Sequence, residues 1–293
     1  MKLITRIAAI ALTAAAATSS LKAGDTNSDT NSIATGKDVK APIVAAPATS
    51  PFNLNISENY DSRYMFRGVN VLPNTGILST TFNPIWHITA NDTLSVPVWF
   101  ATAVGRTFNN GLQNYRELDV PVNYTHAIGN WTLGAGYQLY TYINLPGPTR
   151  PGGTGIQNEV NVNAAYTYKT GIVTWTPALT YYYELGTANN YQYSSVNAGS
   201  SFLTPSLTAS IPVSSTVTFN PNIQYNFSFA YNDNTQNKPY TGANNVQFQI
   251  PVTWQITKII SATAYVAYSY TGANLVQTQP STVWGGASVG LSF

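Results

Sequence analysis

Between positions 246 and 257 the chain alternates without interruption. Val246, Phe248, Ile250, Val252, Trp254 and Ile256 share one parity; Gln247, Gln249, Pro251, Thr253, Gln255 and Thr257 share the other. A period of two belongs to a β-strand whose two faces meet different surroundings. Slipping this register by one residue would turn three glutamine amides toward the apolar side, at roughly 4 to 8 kcal/mol each on a cyclohexane-like scale. The register is therefore fixed by whatever covers the apolar face. The same division recurs in Val217, Phe219, Pro221, Ile223, Tyr225, Phe227 and Phe229 against Thr218, Asn220, Asn222, Gln224, Asn226 and Ser228. It recurs again in Ile260, Ala262, Ala264, Val266 and Tyr268 against Ser261, Thr263, Tyr265, Ala267 and Ser269.

No apolar run reaches the ~18 residues of a spanning helix, which excludes a membrane role through helices. Barrel strands spread their apolar residues over alternate positions and escape that test. Charged residues make up only 8% of the chain against 44% hydrophobic, too few for an ordinary soluble surface and too apolar a balance for disorder. Alternating segments begin near residues 52, 78, 93, 115, 131, 157, 172, 199, 216, 244, 259 and 281, each long enough for the roughly 9 to 11 residues of a tilted crossing. Connections between them alternate in length. Short turns fall near Ala90 to Asp92, Ile128 to Asn130, Lys169 to Gly171, Ser214 to Ser215 and Thr257 to Lys258. Longer loops fall near Arg67 to Gly76, Arg106 to Asn114, Asn144 to Gly155, Gly186 to Val196, Asn232 to Ala243 and Gly272 to Pro280. Short periplasmic turns and longer outer loops are the pattern of a transmembrane antiparallel β-barrel, here of about 12 strands. The expected fold class is all-β.

Aromatics follow the same frame. Trp86, Trp131, Trp175 and Trp254 lie beside short turns, and Tyr181, Tyr183, Tyr231, Tyr268 and Tyr270 lie toward the long loops, which predicts two interfacial belts. Pro84, Pro97, Pro121, Pro177, Pro205, Pro221 and Pro251 fall inside crossing segments, where a missing ladder donor is unwelcome; the expectation is that they mark bulges bending the sheet closed.

Ahead of the barrel, Lys2 and Arg6 introduce an apolar segment from Ile7 to Ala17 and small polar residues to Ala23, a secretory signal peptide over residues 1–23. Residues 24–51 are rich in Thr, Ser, Asp, Asn, Ala and Pro without periodicity, and read as a flexible periplasmic tail. Residues 52–293 form the barrel. The net charge of +2 comes from the part before it: from residue 52 onward basic and acidic residues cancel, so no nucleic-acid partner is expected. With 0 Cys there is neither a disulfide scaffold nor a cysteine metal site.

In the final stretch Val283, Gly285, Ala287, Val289, Leu291 and Phe293 alternate with Trp284, Gly286, Ser288, Gly290 and Ser292. A strand there is an open edge unless it pairs with the first strand and closes the cylinder. A terminal Phe on such a strand resembles the assembly signal of bacterial outer-membrane barrels, which implies that the barrel-assembly machinery recognises Val289, Leu291 and Phe293.

The stretch Ser62-Arg63-Tyr64-Met65-Phe66-Arg67-Gly68 resembles the S-x-Y-x-(F/Y)-R-G signature near the start of the TorF-like porin family of Gram-negative bacteria. The chain departs from that family at Val69 to Asn74, where a polar Ser-Gln stretch is common. The resemblance implies an outer-membrane channel and carries over Tyr64, Phe66, Arg67 and Gly68 as motif residues.

Barrel charges gather in the outer half: Arg63, Arg67 and Arg106 on the first and third strands or their loops, and Glu117, Asp119, Glu159 and Glu184 on the fourth, sixth and seventh. In a closed ring the seventh strand stands opposite the first. Two arrangements fit. Basic and acidic walls face one another and orient polar solutes by a transverse field, or the charges pair directly and plug the lumen. Arg116 and Arg150 fit neither wall. His87 and His126 both lie beside short turns, far from the acidic cluster, so neither a hydrolase nor a metal site is expected, and no cofactor. Gly152-Gly153-Thr154-Gly155 is loop punctuation with no helix behind it. About twelve strands leave a narrow lumen, and Gln224, Gln247, Gln249, Asn161, Asn163, Asn220 and Asn222 suit small polar solutes. The expected role is passive diffusion of such solutes through the outer membrane, with outer-membrane lipid around the barrel; the alternative is a structural or adhesive barrel acting through its extracellular loops.

Overall fold

The alternating segments become strands with the polar parity inside. In a computed structural model, which describes residues 51–67, 69–72, 75–104, 115–145, 153–188, 198–233, 238–271 and 281–293, the chain crosses twelve times as one antiparallel sheet. The crossings are β1 (Phe52–Asp61), β2 (Gly76–His87), β3 (Asp92–Ser95 and Val98–Val104), β4 (Arg116–Asp119 and Val122–Ile128), β5 (Trp131–Leu145), β6 (Gly153–Tyr166, continued by Tyr168–Thr170) and β7 (Val173–Ala188). They continue as β8 (Ser201–Pro212), β9 (Val217–Phe219 and Asn222–Asp233), β10 (Pro239–Gln255), β11 (Ile260–Tyr270) and β12 (Thr282–Ser292). Each pairs with its neighbours, and β1 pairs with β12 from Asn55↔Ser292 to Asp61↔Gly286, which leaves the cylinder without an edge. The signal peptide and the tail up to residue 50 lie outside the described residues, as do Arg106, Arg150 and the larger part of the long loops. The last residue of the tail, Pro51, accepts a 2.9 Å bond from the His87 amide at the short-turn end of β2.

Burial separates the two faces. On β10, Gln247 and Gln249 are 0% and 1% exposed while Phe248 and Ile250 are 43% and 51% exposed. Gln224, Asn226 and Ser228 of β9 are buried between exposed Ile223, Tyr225 and Phe229. Val283 and Phe293 face out from β12, whereas Trp284 turns in. An apolar band of this extent on the outside of a closed sheet is covered by bilayer hydrocarbon. Glu58 of β1 shares that outward parity, with its carboxylate held at 2.6 Å by the Thr80 hydroxyl. The belts form as expected at Trp86, Trp131 and Trp254 on one side and at Tyr181, Tyr183, Tyr268 and Tyr270 on the other, all exposed; Trp175 is half-buried, its indole N–H on Thr170 at 2.8 Å.

Two expectations are corrected. Register runs unbroken past all seven strand prolines: Leu54↔Pro84, Pro177↔Leu207, Leu179↔Pro205 and Pro251↔Tyr265 sit inside continuous ladders. At Pro97, Pro121 and Pro221 the strand pauses for two residues, and the amide just before the ring still bonds across, Val96 to Pro84 at 3.2 Å, Val120 to Leu139 at 2.9 Å and Asn220 to Pro251 at 2.9 Å. The prolines keep their acceptor half of the ladder, so none has to be expelled into a bulge. Bulges occur instead between Gly153/Gly155, Asn158/Glu159, Ser201/Phe202, Asn226/Phe227 and Phe229/Asp233.

The second correction is Tyr231, expected in the outer belt and found fully buried inside. Ala230 just before it takes φ 59°, and the shifts around Phe229 insert an extra residue that moves Tyr231 to the inward parity. The Tyr231 and Asn232 amides then both bond the Ser228 hydroxyl at 3.1 Å.

Candidate functional site

Arg67 and Val69–Leu72, expected within an outer loop from Arg67 to Gly76, are folded inward. Tyr64–Phe66 and Val69–Leu72 form a small hairpin paired Tyr64↔Leu72, Met65↔Asn70 and Phe66↔Val69, outside the barrel sheet. Ser62 hooks it to the closing strand, its amide on the Gly285 carbonyl at 2.9 Å and its hydroxyl accepting the Gly285 amide at 3.0 Å. From there hairpin side chains reach three parts of the inner wall. Tyr64 and Leu72 pack with Ile77, Trp99, Ala101 and Tyr115 of β2 to β4 and the residue before it; Met65 packs with Ala267 and Trp284 of β11 and β12; Phe66 packs against Tyr182, Phe202 and Tyr231 of β7 to β9. A segment touching walls on opposite sides lies across the lumen.

Arg67 anchors it. Lying next to the hairpin turn at φ 47°, it donates to Glu159 of β6 at 2.7 Å, both side chains 0% exposed. Its guanidinium carbon lies 3.7 Å from the Tyr182 ring centre, with Tyr231 at 4.9, Phe66 at 5.2 and Phe202 at 5.3 Å. A planar cation with dispersed charge is the one suited to such an enclosure, and cation–π contacts are worth about 2 kcal/mol or more once water is excluded. Glu159 also accepts from the hydroxyls of Tyr231 at 3.1 Å and Tyr140 at 3.4 Å. The Arg67 carbonyl accepts Asn244 Nδ2 at 2.6 Å, and that amide opens a chain of bonds from Asn244 to Asn245 and on to Ser269 and Asn226, each between 2.9 and 3.0 Å.

The other charges have their own places. Glu117 of β4 accepts the hydroxyls of Tyr64 and Tyr115 on one oxygen. Asp119, two residues on, is half-buried on the same face. Glu184 of β7 accepts Gln157 Nε2 at 2.8 Å and the Gly186 amide at 3.1 Å. Arg63 sits in the bend before the hairpin, half-buried, and Arg116 points outward from β4. Thus Arg67 is joined to Glu159 rather than set apart from it across the lumen. Of the motif, Phe66 and Arg67 meet at the Glu159 side, Tyr64 reaches Glu117 on the other wall, and Gly68 lies outside the described residues. Val289 and Leu291 are half-buried and Phe293 is exposed, with its amide on the Leu54 carbonyl at 3.0 Å.

The histidines stay at the short-turn end: His87 Nε2 meets Asn53 Nδ2 at 2.9 Å and His126 Nδ1 meets Asp92 at 2.8 Å. Asp92 also accepts the hydroxyls of Thr89 and Tyr124. Among the described residues no group of three or more His, Cys, Asp and Glu is arranged to hold a metal. Sequence reasoning missed Tyr182 and Phe202 beside Arg67, and Asn244 on its carbonyl. It also missed Asp61, whose carboxylate takes the Tyr265 hydroxyl above Gly286. The visible signals were Gly286 at lumen parity opposite Tyr265 and the run Ala243-Asn244-Asn245.

No protein-family model and no curated protein matches the sequence. Among solved structures the chain is similar to an outer-membrane channel from Pseudomonas putida F1, with TM-score 0.52 and 10% identity over 89% of this chain and 100% of that one. The fold is that of an outer-membrane β-barrel. With the apolar band, it places this barrel in the bacterial outer membrane. Weaker likenesses are to the β-domain of the Bordetella autotransporter BrkA, at TM-score 0.48 and 10% identity over 83% of this chain and 99% of that one, and to the NanC porin, at 0.46 and 14% over 82% and 98%.

Proposed function

We propose that this barrel is a porin-type channel for passive diffusion of small polar solutes across the outer membrane, of the kind the TorF-like resemblance implies. The observation that carries the reading is the inner wall. Asn161, Asn163, Gln224, Asn226, Asn245, Gln247 and Gln249 all turn inward, and amides set along a passage exchange hydrogen bonds with a passing solute without selecting a charge. The hairpin and the Arg67–Glu159 pair narrow the passage in this state, so conductance through it is small or intermittent.

One observation favours a second reading. The side chains around Arg67 are so completely buried that the interior resembles a packed core, which suits a structural or adhesive barrel whose loops carry the activity. Planar-bilayer recording of the refolded full chain separates the two. A channel gives discrete current steps, altered in size or frequency by Arg67→Gln and by Glu184→Gln, and neutral polar solutes swell liposomes containing it. Absence of current and of solute flux in wild type and both variants favours the structural reading.

A further inference from the structure

The two sides of the hairpin are not held alike. Toward β6 to β10 it is bound by the Arg67–Glu159 pair, by four aromatic rings near the guanidinium and by Asn244 on the Arg67 carbonyl. Toward β2 to β4 the hydroxyls of Tyr64 and Tyr115 crowd onto a single oxygen of Glu117. On that wall Ser79 Oγ, Thr81 Oγ1, Trp99 Nε1 and Glu117 Oε1 are buried with no hydrogen-bond partner among the described residues, as Thr180 Oγ1 is on β7. The ladder makes these one patch: Thr81↔Trp99↔Asp119 is one row and Ser79↔Ala101↔Glu117 the next. Burying a polar atom without a partner costs its full hydration, and water regains it as soon as the cover lifts.

We propose that the hairpin is a gate hinged on its Arg67 side that opens by lifting its Tyr64 side from the wall of β2 to β4. Two hydroxyl bonds to one carboxylate oxygen hold the Tyr64 end, against a buried ion pair and an aromatic enclosure at the Arg67 end, so the motion is a tilt and not an expulsion. The lifted state presents Ser79, Thr81, Trp99 and Glu117 to the passage: two hydroxyls, one N–H donor and one carboxylate oxygen, a set that hydrogen-bonds a small polyhydroxylated or other neutral polar solute. This rests on the channel reading for its purpose, though not for its detection.

The chain has 0 Cys, so a single introduced thiol reports its own surroundings. Ser79→Cys on the lifting side and Thr180→Cys on β7, two residues from Tyr182, form a matched pair, since both hydroxyls are 1% exposed and unpartnered. With each full-length variant refolded in liposomes, a water-soluble thiol reagent is expected to modify Ser79→Cys about tenfold faster than Thr180→Cys. Tyr64→Phe, which removes one hydroxyl from Glu117, is expected to raise the Ser79→Cys rate and leave Thr180→Cys unchanged. Thr81→Cys replaces Ser79→Cys if the latter does not refold. Equal rates at the two sides, or faster reaction at Thr180→Cys, overturn the hinge. Fast labelling at Ser79→Cys in a barrel that passes no current retains the hinge and refutes the channel reading; current without differential labelling does the reverse.

Discussion

At the scale of single residues Arg67 carries the most consequence. It is a buried cation paired with Glu159, so removing it strands that carboxylate in the interior. Arg67→Ala is expected to cost about 3 to 5 kcal/mol in denaturant unfolding of the bilayer-refolded protein, with Glu159→Gln, which keeps an acceptor, costing less. Arg67→Lys should recover only part, because a compact ammonium does not stack between Tyr182 and its neighbouring rings. Glu58 is the opposite case, a carboxylate on the oily face held by the Thr80 hydroxyl. Glu58→Leu is expected to stabilise the same unfolding transition by about 1 kcal/mol. Arg67 and Glu159 both stood out in the sequence as rare charges at inner parity. Their pairing did not, because they are 92 positions apart and alternation fixes which face a side chain takes, not which wall it meets.

Among elements, the hairpin and the β9 bulge decide the interior together. Tyr231 reaches Glu159 only because an extra residue at Ala230 turns it inward. Ala230→Gly removes the cost of a side chain at φ 59° and is expected to stabilise the barrel by about 1 kcal/mol. Deleting residue 230 removes the bulge and leaves Tyr231 directly after outward Phe229, on the inward parity, so its bond to Glu159 should survive; protection of Tyr231 from a lipid-phase quencher checks the orientation. Strict period two predicts Tyr231 outward, so a bulge is invisible to it. The inward hairpin was hidden for a related reason: a connection of its length reads as an outer loop, and only the apolar Tyr64, Met65, Phe66 and Leu72 within it hinted that it needed a core.

For the whole molecule, closure was the most legible property and the content of the lumen the least. The two faces of β10, β11 and β12, and of β9 up to Phe229, follow directly from alternation, and the pairing of β1 with β12 from the need to remove an edge. What fills a cylinder depends on side chains from every wall meeting at once, which no local window contains. Closure itself depends on a missing side chain: a Cβ on Gly286 would lie 2.6 Å from both the Tyr60 carbonyl and the Tyr265 ring. Gly286→Ala is therefore expected to cost about 1 to 3 kcal/mol and to slow refolding, read from the gel shift of the folded barrel. The most direct test of the account is the current through single refolded barrels, full-length against a variant with residues 64–72 replaced by a short glycine-serine linker. The account predicts small or intermittent steps from the full-length protein and larger, sustained ones from the variant; a folded variant as silent as the intact protein contradicts it.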